Sequence, residues 1–224
     1  MTSPRRSRAR ARARAAAALL AAACALTFAG AALAAGGNYV FDGGTPAEQQ
    51  QVRDALAASS FNWSLVARPV TIHIGSFATE AAAPGEIFLD ARLLDSGLFA
   101  WGVVQHEYAH EVDFTLLDDA ARARLADALG TGTWCYADGP VLGHDQYGCE
   151  RFASTLAWAY WQSPSNCMKP AALGAESGAL APAAFRALLQ SLLGPAAEPG
   201  AAGARRYTMS VRGRAASASA AARP

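Results

Sequence analysis

The segment from Ser96 to Phe114, "SGLFAWGVVQHEYAHEVDF", dictates what must surround it. Its hydrophobicity is almost continuous, so a helix formed here has no broad polar face to offer water and has to be covered on most of its surface. Yet His106, Glu107 and His110 stand in the middle of it. Burying such groups costs free energy unless partners or a cation meet them, so the rest of the chain must bring one or the other to this helix.

The flanking sequence supplies both strands and helices. Thr45, Pro46 and Glu48 form a capping box ahead of an amphipathic helix with Val52, Ala55, Leu56 and Ser59 on one face. "RPVTIHIGSF" alternates, with Val70, Ile72 and Ile74 on one side and Thr71 and His73 on the other, which predicts a half-buried strand with His73 toward solvent. After "APG", the stretch Glu86 to Asp90 predicts a second strand. Asp118 or Asp119 caps a helix that runs to Leu129 and stops at Gly130. "CERFASTLAWAYW" has helical spacing, and a last helix opens at Pro182, with Phe185, Leu188, Leu189, Leu192 and Leu193 on one stripe. The expected class is α+β: a small sheet followed by a mostly helical part.

The two ends differ from the middle. Six arginines between Arg5 and Arg14 precede an alanine/leucine-rich run that ends in "ALAAGG". This is the build of a signal peptide over residues 1–35, cleaved near Ala34 or Ala35, with an uncleaved anchor as the alternative. Residues 36–200 hold eight basic against eighteen acidic side chains, an acidic balance that does not favour nucleic acid as a partner. The tail, residues 201–224, carries five arginines, no acid and no apolar periodicity. It reads as a solvated basic end with an anionic envelope surface as its possible contact. A secreted or extracytoplasmic location follows, and with it an oxidising compartment. Beyond the leader three cysteines remain; Cys135 with Cys149 is the favoured disulfide and Cys149 with Cys167 the competing one.

Residues four apart on a helix lie one above the other, so His106 and His110 can share one cation while Glu107 sits beside it. In this H-E-x-x-H spacing the histidines hold Zn2+ and the glutamate takes a proton from metal-bound water. A catalytic zinc needs a third protein ligand. Glu150 is the favoured one: it opens a helix whose Ala153, Ser154 and Ala157 form a small-residue face suited to close packing, and the helix dipole keeps its carboxylate ionised. His144 and Asp145 remain alternative ligands. Asp113, on the same face as the histidines, is expected to hold an imidazole N–H. Tyr147 is the favoured group for steadying an oxyanion, with Tyr136 and His144 as alternatives.

"HEYAHEVD" together with "YGCERFAS" resembles the gluzincin metallopeptidases, and most of all the small secreted branch related to anthrax-lethal-factor-type catalytic domains. The resemblance covers about residues 97 to 161. The metzincin pattern is excluded by Asp113 and Leu116, and thermolysin's own second signature is absent. The resemblance implies a zincin-like fold over residues 36–200, one zinc ion, and a peptide or protein substrate paired along a sheet edge, for which the strand at Glu86 to Asp90 is the expected edge. Two other expectations stand beside it: a secreted protein stapled by a four-ligand zinc, and a catalytically degenerate binding protein of the envelope.

Overall fold

The computed structural model describes residues 36–135, 141–170, 175–194 and 197. The expected leader, the basic tail and Tyr136 lie outside the described residues. The class is α+β: four strands form one mixed sheet, and helices cover the face that carries its aliphatic side chains.

Strand β1 (Tyr39–Gly43) is followed by helix α1 (Pro46–Ala58), which crosses back so that β2 (Val70–Gly75) runs parallel to β1. The expected capping box at Thr45 and Glu48 starts α1, and Val52, Ala55 and Leu56 are its buried face. In β2 the alternation holds, with Val70, Ile72 and Ile74 buried. His73 departs from the reading of a solvent-facing side chain: its ring stacks on Phe88 and its Nδ1 lies 2.8 Å from Asp42 Oδ2.

Strand β3 (Ala81–Ala83) turns at Pro84-Gly85 into β4 (Glu86–Asp90), and Gly85 takes a φ of 92°, a backbone region that favours glycine. The sheet order is β1-β2-β4-β3, with β2 and β4 parallel and β3 antiparallel to β4. This corrects one expectation. Glu86 to Asp90 is a strand, but it lies inside the sheet; the edges are β1 and β3, and β3 is the one next to β4. Three alanines carry weak strand propensity, so only the ladder to β4 makes this segment a strand.

A short helix, α2 (Ala91–Leu94), leads into α3 (Leu98–Leu116), the hydrophobic helix around which the rest is built. Thirteen of the fourteen positions from Ala100 to Asp113, all but Val103, are buried, as its sequence demands. Glu111, fully buried, accepts from the Gly85 backbone N–H at 2.8 Å and from Arg68 at 2.9 Å, which fastens the β3–β4 turn to α3. Helix α4 (Asp119–Leu129) is capped by Asp118 and ends at Gly130 in the left-handed conformation. Helix α5 (Gly148–Tyr160) packs along α3 through Ala153, Ser154 and Ala157, all buried, and α6 (Pro182–Leu193) closes over α5 with Phe185 and Leu189. None of the described helices is long and apolar enough to cross a membrane.

Candidate metal centre

Three segments meet at one point. Helix α3 presents His106, Glu107 and His110, all buried; the first turn of α5 presents Glu150; and a 3-10 turn at His144–Gln146 presents His144 from the solvent side. Glu150 Oε2 lies 3.1 Å from His106 Nε2, 3.3 Å from His110 Nε2 and 3.1 Å from His144 Nε2. His106 Nε2 and His110 Nε2 are 3.2 Å apart. Donors at about 2.0–2.1 Å from a tetrahedral zinc stand roughly 3.3–3.4 Å from one another, and the mutual distances of His106, His110 and Glu150 fit that spacing; His144 groups with His106 and Glu150.

The electrostatics also call for positive charge. Burial alone would raise Glu150, but hydrogen bonds from the three imidazoles outweigh it and hold its carboxyl far below the usual range. Contacts with Glu150 and Glu176 push His144 up to about 10. Burial lowers His110, yet its hydrogen bond to Glu150 leaves it raised. The cluster thus keeps a proton where a metal ion would otherwise sit.

Glu107 behaves differently. Its carboxyl is raised by burial, against the opposing pull of His106 and His110, and it makes no side-chain hydrogen bond among the described residues. An acid of this kind beside metal donors is suited to taking up and returning a proton.

The loop before α5 is held by several independent ties. Cys135 and Cys149 form the expected disulfide, with Cα atoms 5.4 Å apart, and Cys167 is the free thiol among the described residues. Gly148 N–H donates to the Thr133 carbonyl at 2.9 Å and Cys149 N–H to the Trp134 carbonyl at 2.7 Å. Gly148 suits its place, because a Cβ there would come within 2.7 Å of the Trp134 ring. Although Cys149 Sγ lies among donors with His110 and Glu150, its sulfur is spent in the disulfide and is no thiolate ligand.

The expected site residues divide accordingly. His106, His110 and Glu150 come together, and His144 stands beside them in a donor group with His106 and Glu150 instead of replacing Glu150. Asp145 is exposed and stands outside the cluster. Asp113 does not play the expected part: its oxygens accept from Arg122 Nε at 2.8 Å and Trp134 Nε1 at 3.0 Å. These donors from α4 and the loop engage the carboxylate, so it anchors the loop and acts on His110 only through its charge. The Tyr147 hydroxyl accepts from Leu142 N–H at 3.1 Å, which ties down the turn carrying His144.

Two residues of the cluster carried no sequence signal for a role at the metal centre. Ser154 Oγ lies 3.0 Å from His106 Nδ1 and 2.7 Å from Glu176 Oε2, and Glu176 Oε1 meets His144 Nδ1. Ser154 was legible as a small residue on a packing face, but Glu176 lies far along the chain in "ALGAESGAL", in no motif with the histidines. Compared with known proteins, the chain matches no family model, no curated protein and no solved structure.

Proposed function

We propose that this chain is an exported zinc-dependent peptidase of zincin-like, gluzincin type, with Zn2+ on His106, His110 and Glu150. The observation that carries the hydrolytic reading is Glu107, a buried carboxylate with no side-chain hydrogen bond among the described residues, beside a set of donors spaced for one ion. A zinc staple has no use for such a group.

Zinc held there supplies an acidified water and polarises a carbonyl. Glu107 accepts the proton and delivers it to the leaving amine, a task that its raised pKa favours. His144, on an exposed turn, yields its place when substrate enters and, once protonated, donates to the developing oxyanion. Strand β3 lies at the sheet edge next to α3, where an extended peptide can add as a further strand. The disulfide accords with an extracytoplasmic location.

One observation favours a second reading, a closed structural zinc site: His144 Nε2 is as near to Glu150 Oε2 as His106 Nε2 is. Metal analysis, ligand counting by X-ray absorption and a peptide-library digest with and without a chelator separate the two. One zinc per chain with chelator-sensitive cleavage supports the peptidase. Four protein ligands with no cleavage establishes the staple, and no bound metal refutes both in favour of a degenerate binding protein.

A further inference from the structure

We propose that Glu176 is the positioning residue of this centre: its single carboxylate fixes the tautomers of two imidazoles, His144 directly and His106 through Ser154, so that both present bare Nε2 atoms to the metal. The inference rests on the metal-site reading above and assigns the residue that organises it.

A carboxylate accepts hydrogen bonds and does not donate them. Ser154 Oγ, at 2.7 Å from Glu176 Oε2, must therefore turn its one proton toward Glu176. Met168 Sδ, at 3.5 Å from the same hydroxyl, is a weak acceptor and does not compete. With its proton committed, Ser154 Oγ can only accept from His106 Nδ1, 3.0 Å away. His106 Nδ1 then carries hydrogen, and in the neutral ring Nε2 carries a lone pair. The other oxygen of Glu176 imposes the same result on His144, whose Nδ1 it meets.

Both Nε2 atoms face the same atom, Glu150 Oε2, each at 3.1 Å, and in the metal-free protein a proton on Nε2 bridges that gap. Once that proton leaves, a lone pair faces the carboxylate oxygen, which is repulsive at that distance unless a cation lies between them. The orientation that Glu176 enforces is thus the one a metal ion requires. Glu176 is only half-buried and comes from the 3-10 turn Glu176–Gly178, which packs against α5, so it reaches both rings from outside the helix pair that supplies the ligands.

The test uses the purified full chain, zinc and three variants, E176A, E176Q and S154A. Zinc affinity is measured by competition with a chromogenic chelator, and the imidazole N–H protons of the zinc-loaded protein are observed by NMR. E176A is expected to lose about 10- to 100-fold in zinc affinity while remaining folded, with a metal-free melting temperature below that of the parent because the hydrogen bonds of Glu176 to His144 and Ser154 are gone. The downfield Nδ1–H signals of both His106 and His144 should move in E176A, and only that of His106 in S154A. The losses in E176A and S154A should add to less than their sum in the double variant, because the serine acts through the glutamate. E176Q keeps nearly the same shape, so it carries the test if E176A does not fold; an amide can accept from one partner only while donating to the other, and zinc affinity must fall here too. A folded E176Q or E176A that binds zinc within twofold of the parent, with both N–H signals unmoved, overturns the inference and leaves the metal site standing. A parent chain that takes up no zinc fails the metal-site reading itself, and this inference with it.

Discussion

His106 Nε2 and His110 Nε2 stand 3.2 Å apart on one face of α3, each within 3.3 Å of Glu150 Oε2 on the neighbouring helix. Helical spacing brings the two rings near each other, but it does not make them converge on a carboxylate from another element. That convergence is a property of how α5 lies on α3. The chemistry of the site therefore depends as much on the ties that hold α5 and its preceding loop as on the donors.

Replacing Glu107 by Gln should leave zinc stoichiometry and affinity unchanged, since Glu107 is not among the converging donors. Hydrolysis should fall by about 10²- to 10⁴-fold, the usual worth of a positioned proton acceptor. Parallel metal analysis and turnover on one cleavable peptide check this; a variant with full turnover removes Glu107 from the mechanism.

Zinc uptake should release protons. Metal-free His144, pushed up to about 10 by Glu150 and Glu176, is protonated at neutral pH and has to lose that proton to become a ligand. Calorimetry in buffers of different ionisation heat should show about one proton or more released per zinc near pH 7, and affinity that rises with pH. Binding heats independent of the buffer would contradict the state assigned to His144.

The same groups set the pH response of the metal-free fold. The raised value of His144 stabilises the fold fully below its unfolded pKa of about 6.5, and this contribution disappears as pH climbs to about 10. Burial opposes it, but hydrogen bonds from their partners leave Glu150 and Glu176 lowered, so their contribution is present above an unfolded value of about 4.3 and is lost on acidification. Melting temperatures of the metal-free protein should therefore decline on both sides of roughly pH 4.5–6.5. The variant H144A should show a smaller alkaline decline, because His110, also raised by Glu150, supplies the remainder.

Breaking the Cys135–Cys149 bond by a double Ser substitution should cost about 3 kcal/mol, as expected for a cross-link with a sequence separation of 14. Because the bond closes the loop that carries His144 onto the start of α5, zinc affinity should fall as well. Denaturant unfolding and chelator competition measure the two effects separately.

Glu111 is not a donor to the metal, yet it should matter for substrate. In E111Q one oxygen remains for the Gly85 N–H, but the charge facing Arg68 is lost, at a cost of about 1–3 kcal/mol. The β3–β4 turn loosens where edge and helix meet. The expected signature is a higher KM with unchanged zinc content; an unchanged KM would show that β3 takes no part in binding.

What the sequence alone determined is what local rules control. The buried period of α3, the capping box at Thr45 and Glu48, the glycine stop at Gly130 and the alternation in β2 are each written within a few neighbouring residues, because hydrogen bonding and side-chain spacing within one element decide them. The four-residue spacing of His106 and His110 belongs with them. Only the tertiary structure decided that three alanines form a sheet edge, that Asp113 goes to Arg122 and Trp134, that His144 joins Glu150, and that Glu176 reaches both rings. Each of these pairs partners far apart in the chain, or turns on which of several competing donors lies nearest in space, and no spacing along the sequence encodes that outcome.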